Sequence, residues 1–204
     1  PGDKVLKSGD IVNLDITVST TADQSAIAPG YRESETVEGG RRTIRYRSDA
    51  PINNFFSVQS ARYEVAKDRW QDVELAVYFD PAHRYNIERM HAAMKASLEY
   101  FTAQFSPFQF RQVRILEFPD YASFAQSFAN TIPYSEGIGF VADVAFAVGV
   151  FIAPLFRGFA EQRHVQQVCF SGVDEVDLLR RQLWRNQLGL DGIGVDAVVD
   201  PGQV

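Results

Sequence analysis

The sequence predicts an α+β fold: an antiparallel β-rich N-terminal part, a partial α/β region, and a helical or irregular C-terminal tail. Three observations carry this. Apolar and polar residues alternate through most of the first 80 positions, the period of half-buried strands. From Ile87 the apolar spacing switches to steps of three and four, which is helical. Alternation then returns in RQVRILEF, ahead of a long apolar run over 144–156.

The first strand is DIVNLDITVST, where Ile11, Leu14, Ile16 and Val18 are separated by Asn13, Asp15, Thr17 and Ser19. Pro29–Gly30 marks a turn, a charged run follows, and Gly39–Gly40 marks a second turn. RRTIRYRSD, FFSVQSARYEV and QDVELAVYFDP read as the next three strands, the last alternating Val73, Leu75, Val77 and Phe79. The helix uses Ile87, Met90, Met94, Leu98, Phe101 and Phe105, with Asn86 as its expected N-cap and Pro107 ending it. YASFAQSFAN reads as an aromatic-rich loop with a helical turn. VDLLRRQLWRNQLGL reads as a second, short helix stopped at Gly189, and DGIGVDAVVDPGQV as a fraying tail.

The 204 residues suffice for one large domain or two small ones. Period changes place units at 1–70 (β-rich), 71–143 (α/β) and 144–204 (an unplaced C-terminal segment). The net charge is −6, which argues against nucleic acid as a partner. Cys169 stands alone and reads as a small buried hydrophobe. The chain opens on Pro1 with no signal-peptide pattern, which reads as a processed, excised or assembled piece. The uncharged run Val144–Phe156 is 13 residues long, short of the roughly 20 of a membrane-spanning helix. A soluble segment is expected.

Five stretches carry a family resemblance: STTADQSAIAPG, PINNFFSVQSARYEV, VYFDPAHRYNIERM, SLEYFTAQFSPFQFRQVRILEFPDYASFAQSF and NTIPYSEGIGFVAD. Over about 14–143 the chain resembles bacterial membrane-associated members of the zinc-dependent aminopeptidase N family. The resemblance implies a β-rich N-terminal domain leading into a thermolysin-like catalytic domain, and origin in a membrane-associated bacterial protein. It also implies an exopeptidase motif, usually Gly-x-Met-Glu-Asn, whose Glu anchors the free α-amine of the substrate. IPYSEGIGF falls at that place, so Glu136 is the candidate substrate-binding residue and a peptide N-terminus the candidate partner. The chemistry is sound, since an ammonium group needs a fixed carboxylate at salt-bridge distance. The Met and the Asn of the motif are absent here.

The family's zinc is held by an H-E-x-x-H helix. This chain has only His83, His91 and His164, in PAHRY, RMHAAM and QRHVQQV, and none forms that motif. No catalytic and no metal-ligating residue is therefore assigned, and no cofactor is expected in this chain. The reading is a fragment or mosaic related to zinc-dependent aminopeptidases, inactive alone. The alternatives are a non-catalytic peptide-binding module or a chimera with no selected function.

PGDKVLKSGDIVNLDITV is similar to a stretch of methionine aminopeptidase, in which Asp15 would match the first metal-binding Asp. Its partner would fall at position 26, which is Ala26, so Asp15 reads instead as an outward strand residue. Phe105, Phe108, Phe110 and Phe118 interleave with Arg111 and Arg114. They read as packing between the helix and the next strand. No Gly-x-Ser-x-Gly elbow and no P-loop is present.

Overall fold

The computed structural model describes residues 10–140 and the backbone of 194–200. In chain order the elements are β1 (Ile11–Thr21), β2 (Ser25–Ile27), β3 (Tyr31–Glu38), β4 (Arg41–Arg47), β5 (Ile52–Asn53), β6 (Gln59–Ala61), β7 (Glu64–Trp70) and β8 (Val73–Phe79). Then come α1 (Ile87–Gln104), β9 (Gln112–Phe118), β10 (Thr131–Ser135), a 3-10 turn over Glu136–Ile138, and β11 (Gly194–Asp200). The fold is α+β, with β-rich structure leading the chain.

The first sheet has the order β11-β1-β4-β3, antiparallel throughout, with β5 also pairing to β1. The alternation of β1 is realised: Val12, Leu14, Ile16 and Val18 are all buried. They pack with Ala26, Ala28, Ile44, Tyr46 and Ile52 in one core, each large aliphatic contributing roughly 1.5–3 kcal/mol of burial. The β3–β4 hairpin closes through Gly39 and Gly40, both at positive φ (56° and 77°). This two-residue turn matches the twist of its strands and disfavours any residue with a Cβ.

Three strand and tail readings are corrected first. The charged run 31–38 is strand β3, exposed along nearly its whole length, so it has no apolar alternation to reveal it. FFSVQSARYEV is not one strand: β6 pairs with β2 and β7 pairs with β8. Residues 194–200, expected to fray, pair with β1 in register from Asn13↔Asp200 to Ser19↔Gly194, a course suited to the β-branched Val195, Val198 and Val199. The expected helix in VDLLRRQLWRNQLGL, the apolar run 144–156 and Cys169 lie outside the described residues.

The second sheet has the order β10-β9-β8-β7. The β7–β8 pair is antiparallel, whereas β8–β9 and β9–β10 are parallel. Helix α1 is the crossover from β8 to β9. It buries Ile87, Met90, Met94 and Leu98 against Val73, Leu75, Val77, Val113 and Ile115. Phe108 and Phe110 pack partly buried against this core, while Phe105 is exposed. Asn86 precedes α1 but makes no side-chain cap. Its Nδ2 donates to the Gly139 carbonyl at 2.8 Å, tying the start of the helix to the turn after β10. YASFAQSFAN forms no helical turn. It folds back through the bridges Ala125↔Tyr134 and Phe128↔Thr131.

The two sheets are joined by Arg114, which is buried on β9. Its Nη2 donates to the carbonyls of Ala28 (2.8 Å) and Gly30 (3.0 Å) and to Asn130 Oδ1 (2.8 Å). No helix among the described residues is long and apolar enough to cross a membrane.

Candidate functional site

Because β8, β9 and β10 run parallel, their C-terminal ends meet at one end of the sheet, as the register Tyr134↔Glu117 and Tyr78↔Leu116 shows. In open sheets of this kind, ligands are taken at the carboxyl ends of the strands. The chain delivers a polar residue there from each strand: His83 from the turn after β8, Glu117 near the end of β9, and Glu136 directly after β10. One ligand-capable atom from each lies within 4.8 Å of the others.

Both carboxylates are held by backbone. Glu117 Oε2 accepts the Asp80 N–H at 2.6 Å, and Glu136 Oε1 accepts the Asp120 N–H at 2.8 Å. The other oxygen of each faces His83 Nδ1, which is hydrogen-bonded to Glu117 Oε1 and lies 3.8 Å from Glu136 Oε2. Glu117 is almost fully buried, at 4% side-chain exposure, whereas His83 and Glu136 retain 23% and 27%. The site is thus open on the side of His83 and Glu136.

Burial pushes the Glu117 carboxyl up, opposed by the Asp80 N–H and by His83. The hydrogen bond that His83 Nδ1 donates to Glu117 pushes the imidazole up, against partial burial. With two carboxyl groups and one imidazole, the cluster has more acidic than basic groups. It suits a cationic ligand.

The turn bearing Glu136 is tightly fastened. Its carbonyl accepts the Phe140 N–H at 2.9 Å, and Phe140 is buried edge-to-face on Tyr134. A Cβ on Gly137 would stand 2.5 Å from Asp120 Cγ, so the Asp120 carboxyl occupies the space a side chain would need. Glu136, chosen from the sequence, therefore sits at the sheet end with one oxygen fixed by the Asp120 N–H and the other facing His83 Nδ1 at 3.8 Å. The sequence reading missed His83 and Glu117. His83 stood in an ordinary Pro-containing turn and Glu117 in an alternating strand; the signal was three successive strands, each with a polar residue at its end.

Asp15 is not part of this site. It faces outward on β1 and accepts Arg45 Nε at 2.8 Å, which holds its carboxyl below the usual range. Ala26, where a second metal-binding Asp would be needed, is buried in the first core. The other described histidine, His91, is buried on α1, and His164 lies outside the described residues.

The architecture is that of a β-rich region leading into an α/β region with a mixed four-stranded sheet. The comparisons locate it further. No protein-family model matches the sequence, and no curated protein matches it. Among solved structures, the fold matches an M1 zinc metallopeptidase from Deinococcus radiodurans with a TM-score of 0.60 and 12% identity, covering 74% of this chain and 35% of that one. It also matches a two-domain M1 zinc metallopeptidase mutant bound to L-arginine (TM-score 0.56, 14% identity, 64% and 31% covered). A further mutant, bound to L-tryptophan, matches with a TM-score of 0.54 and 14% identity, covering 62% and 31%. The chain spans about a third of the length of these proteins. What they have in common with it is the fold. The H-E-x-x-H donor set of a zinc peptidase helix is absent from the sequence, so the residues present do not fit that centre.

Proposed function

We propose that the chain is an amine-recognising part of an aminopeptidase-type protein: it binds the free N-terminus of a peptide and does not itself hydrolyse it. The carrying observation is Glu136, whose Oε1 is fixed by the Asp120 N–H at 2.8 Å while its other oxygen is directed into an open, acidic sheet end. A preoriented carboxylate in a partly desolvated site forms a strong, charge-assisted hydrogen bond to an ammonium group. Two of the structural neighbours hold free amino acids, L-arginine and L-tryptophan, both of which carry an α-ammonium group. With no H-E-x-x-H in the sequence, capture of the amine is the function left to this site.

The test is titration of the chain with a short peptide bearing a free amine and with its N-acetylated twin. The free peptide is expected to bind and the acetylated one to lose at least tenfold in affinity, a difference of about 1.4 kcal/mol. Glu136→Gln abolishes the discrimination. Equal binding of the two peptides by the unaltered chain overturns the reading.

A further inference from the structure

His83, Glu117 and Glu136 come from three separate turns and strand ends, yet their donor atoms converge within 4.8 Å. We propose that these three residues form a site for one divalent transition-metal cation of the zinc class, bound through the His83 imidazole and one oxygen of each carboxylate. This donor set is distinct from a helical H-E-x-x-H and does not rest on the amine reading.

The geometry is close to what such an ion needs. A cation bonded at about 2.1 Å to nitrogen and oxygen in tetrahedral fashion sets its donors roughly 3–3.5 Å apart. His83 Nδ1 lies 3.8 Å from Glu136 Oε2, and it is nearer to Glu117 Oε1, to which it is hydrogen-bonded. Replacing that shared proton by a cation requires side-chain movements on the order of 1 Å. His83 and Glu136 are partly exposed and free to make them.

The surroundings favour the same conclusion. The outward oxygen of each carboxylate is already occupied, by the Asp80 N–H at 2.6 Å and the Asp120 N–H at 2.8 Å. Such outer contacts orient ligating carboxylates and leave the inner oxygens to the ion. An imidazole among the donors selects transition metals over calcium or magnesium, which favour all-oxygen shells, and the lack of sulfur disfavours copper(I). Three protein donors leave a coordination position on the exposed side for water or a ligand. Because the ion takes Glu136 Oε2, metal and ammonium are alternatives at this oxygen.

The experiment is equilibrium dialysis of the full chain, stripped with chelator, against zinc chloride. Cobalt(II) substitution follows the ligand field by visible absorption. The expected result is about one zinc per chain, with affinity reduced at least about tenfold in His83→Gln and in Glu117→Gln and unchanged in His91→Gln and His164→Gln. Circular dichroism establishes that Glu117→Gln is folded, and His83→Gln, in a partly exposed turn, provides the same test should it not be. No zinc retained by the unaltered chain, or zinc retained equally by His83→Gln, overturns the proposal. Peptide titration in excess chelator separates the two readings. A chain that binds free-amine peptide and no zinc loses only the metal site; one that binds zinc and no peptide loses only the amine anchor.

Discussion

The Asp120 backbone N–H holds Glu136 Oε1 at 2.8 Å, and the Asp120 carboxyl fills the space beside Gly137, the next residue along. One residue thus both fixes the candidate anchor and forbids a side chain after it. Gly137→Ala must swing the Asp120 carboxyl away from Ser123 and Ser135, whose hydroxyls donate to it at 3.3 Å. The expected cost is about 1–3 kcal/mol, read as a shift in urea midpoint, together with weaker binding of free-amine peptide. Unchanged stability and binding would show that this turn tolerates rearrangement.

Among the described residues Arg114 has no carboxylate partner; its Nη2 donates to Ala28, Gly30 and Asn130. Arg114→Met takes this donor from Ala28 O and Asn130 Oδ1, while Gly30 O keeps Gln112 Nε2 at 2.7 Å. A loss of about 2–4 kcal/mol is expected. Separate chemical-denaturation transitions for the two sheets are expected as well, since a buried polar tie between them is gone and only the contacts of Arg111 and Gln112 to Tyr31, Asp49 and Gly30 remain nearby. In a Trp184→Phe background, tryptophan fluorescence reporting from Trp70 in the second sheet and far-ultraviolet dichroism should then give different midpoints.

His91 supplies the pH dependence. Burial pushes its imidazole below the ordinary value, and its Nε2 is buried without a hydrogen-bond partner. The unfolded chain, with a His pKa near 6.5, therefore binds this proton more readily than the folded one. The contribution is fully present above pH 6.5 and is lost as pH falls through the folded-state value. His83, whose imidazole is pushed up, acts with the opposite sign in the same range. The His91 contribution is therefore read as a difference: on acidification below about pH 6.5 the unaltered chain should lose more stability than His91→Gln. An identical decline in the variant would assign the effect to other groups.

Leu98 is fully buried where α1 meets the second sheet. Leu98→Ala should cost about 2–5 kcal/mol, through lost burial and the cavity left behind. A cost below about 1 kcal/mol would mean that α1 is not packed as described.

Asp15 offers a contrast. Its pair with Arg45 is partly exposed, with side-chain exposures of 31% and 50%, and such pairs contribute about 0–1 kcal/mol. Asp15→Asn should leave zinc stoichiometry unchanged and stability within about 1 kcal/mol, as measured by dialysis and urea titration.

The elements legible in the sequence are those with one buried face. β1, β4 and α1 declare a period because one side meets the core and the other is less buried, whereas β9 is buried on both faces and alternates because Arg114 and Glu117 are polar residues inside. β3 has no core side, so YRESETVE reads as loop although it pairs along its length with β4. The site is legible at Glu136 alone, through resemblance. His83 and Glu117 are 34 residues apart, and only the parallel pairing of β8 with β9, a long-range choice, brings them together. The same holds for Arg114, whose place in an alternating strand gives no hint of the sheet it bridges to.

Among the described residues, the exposed strand β3 lies at the rim of the first sheet, with backbone donors and acceptors along its outer side and no described strand beside them. A second polypeptide could zip onto such a rim. Arg32, Glu33, Glu35 and Glu38 stand along it, and any incoming strand would have to desolvate those charges to dock. The run that carries no periodicity for folding therefore acts as a guard against self-association, and its worth would be felt in a crowded solution, not in the stability of a single molecule.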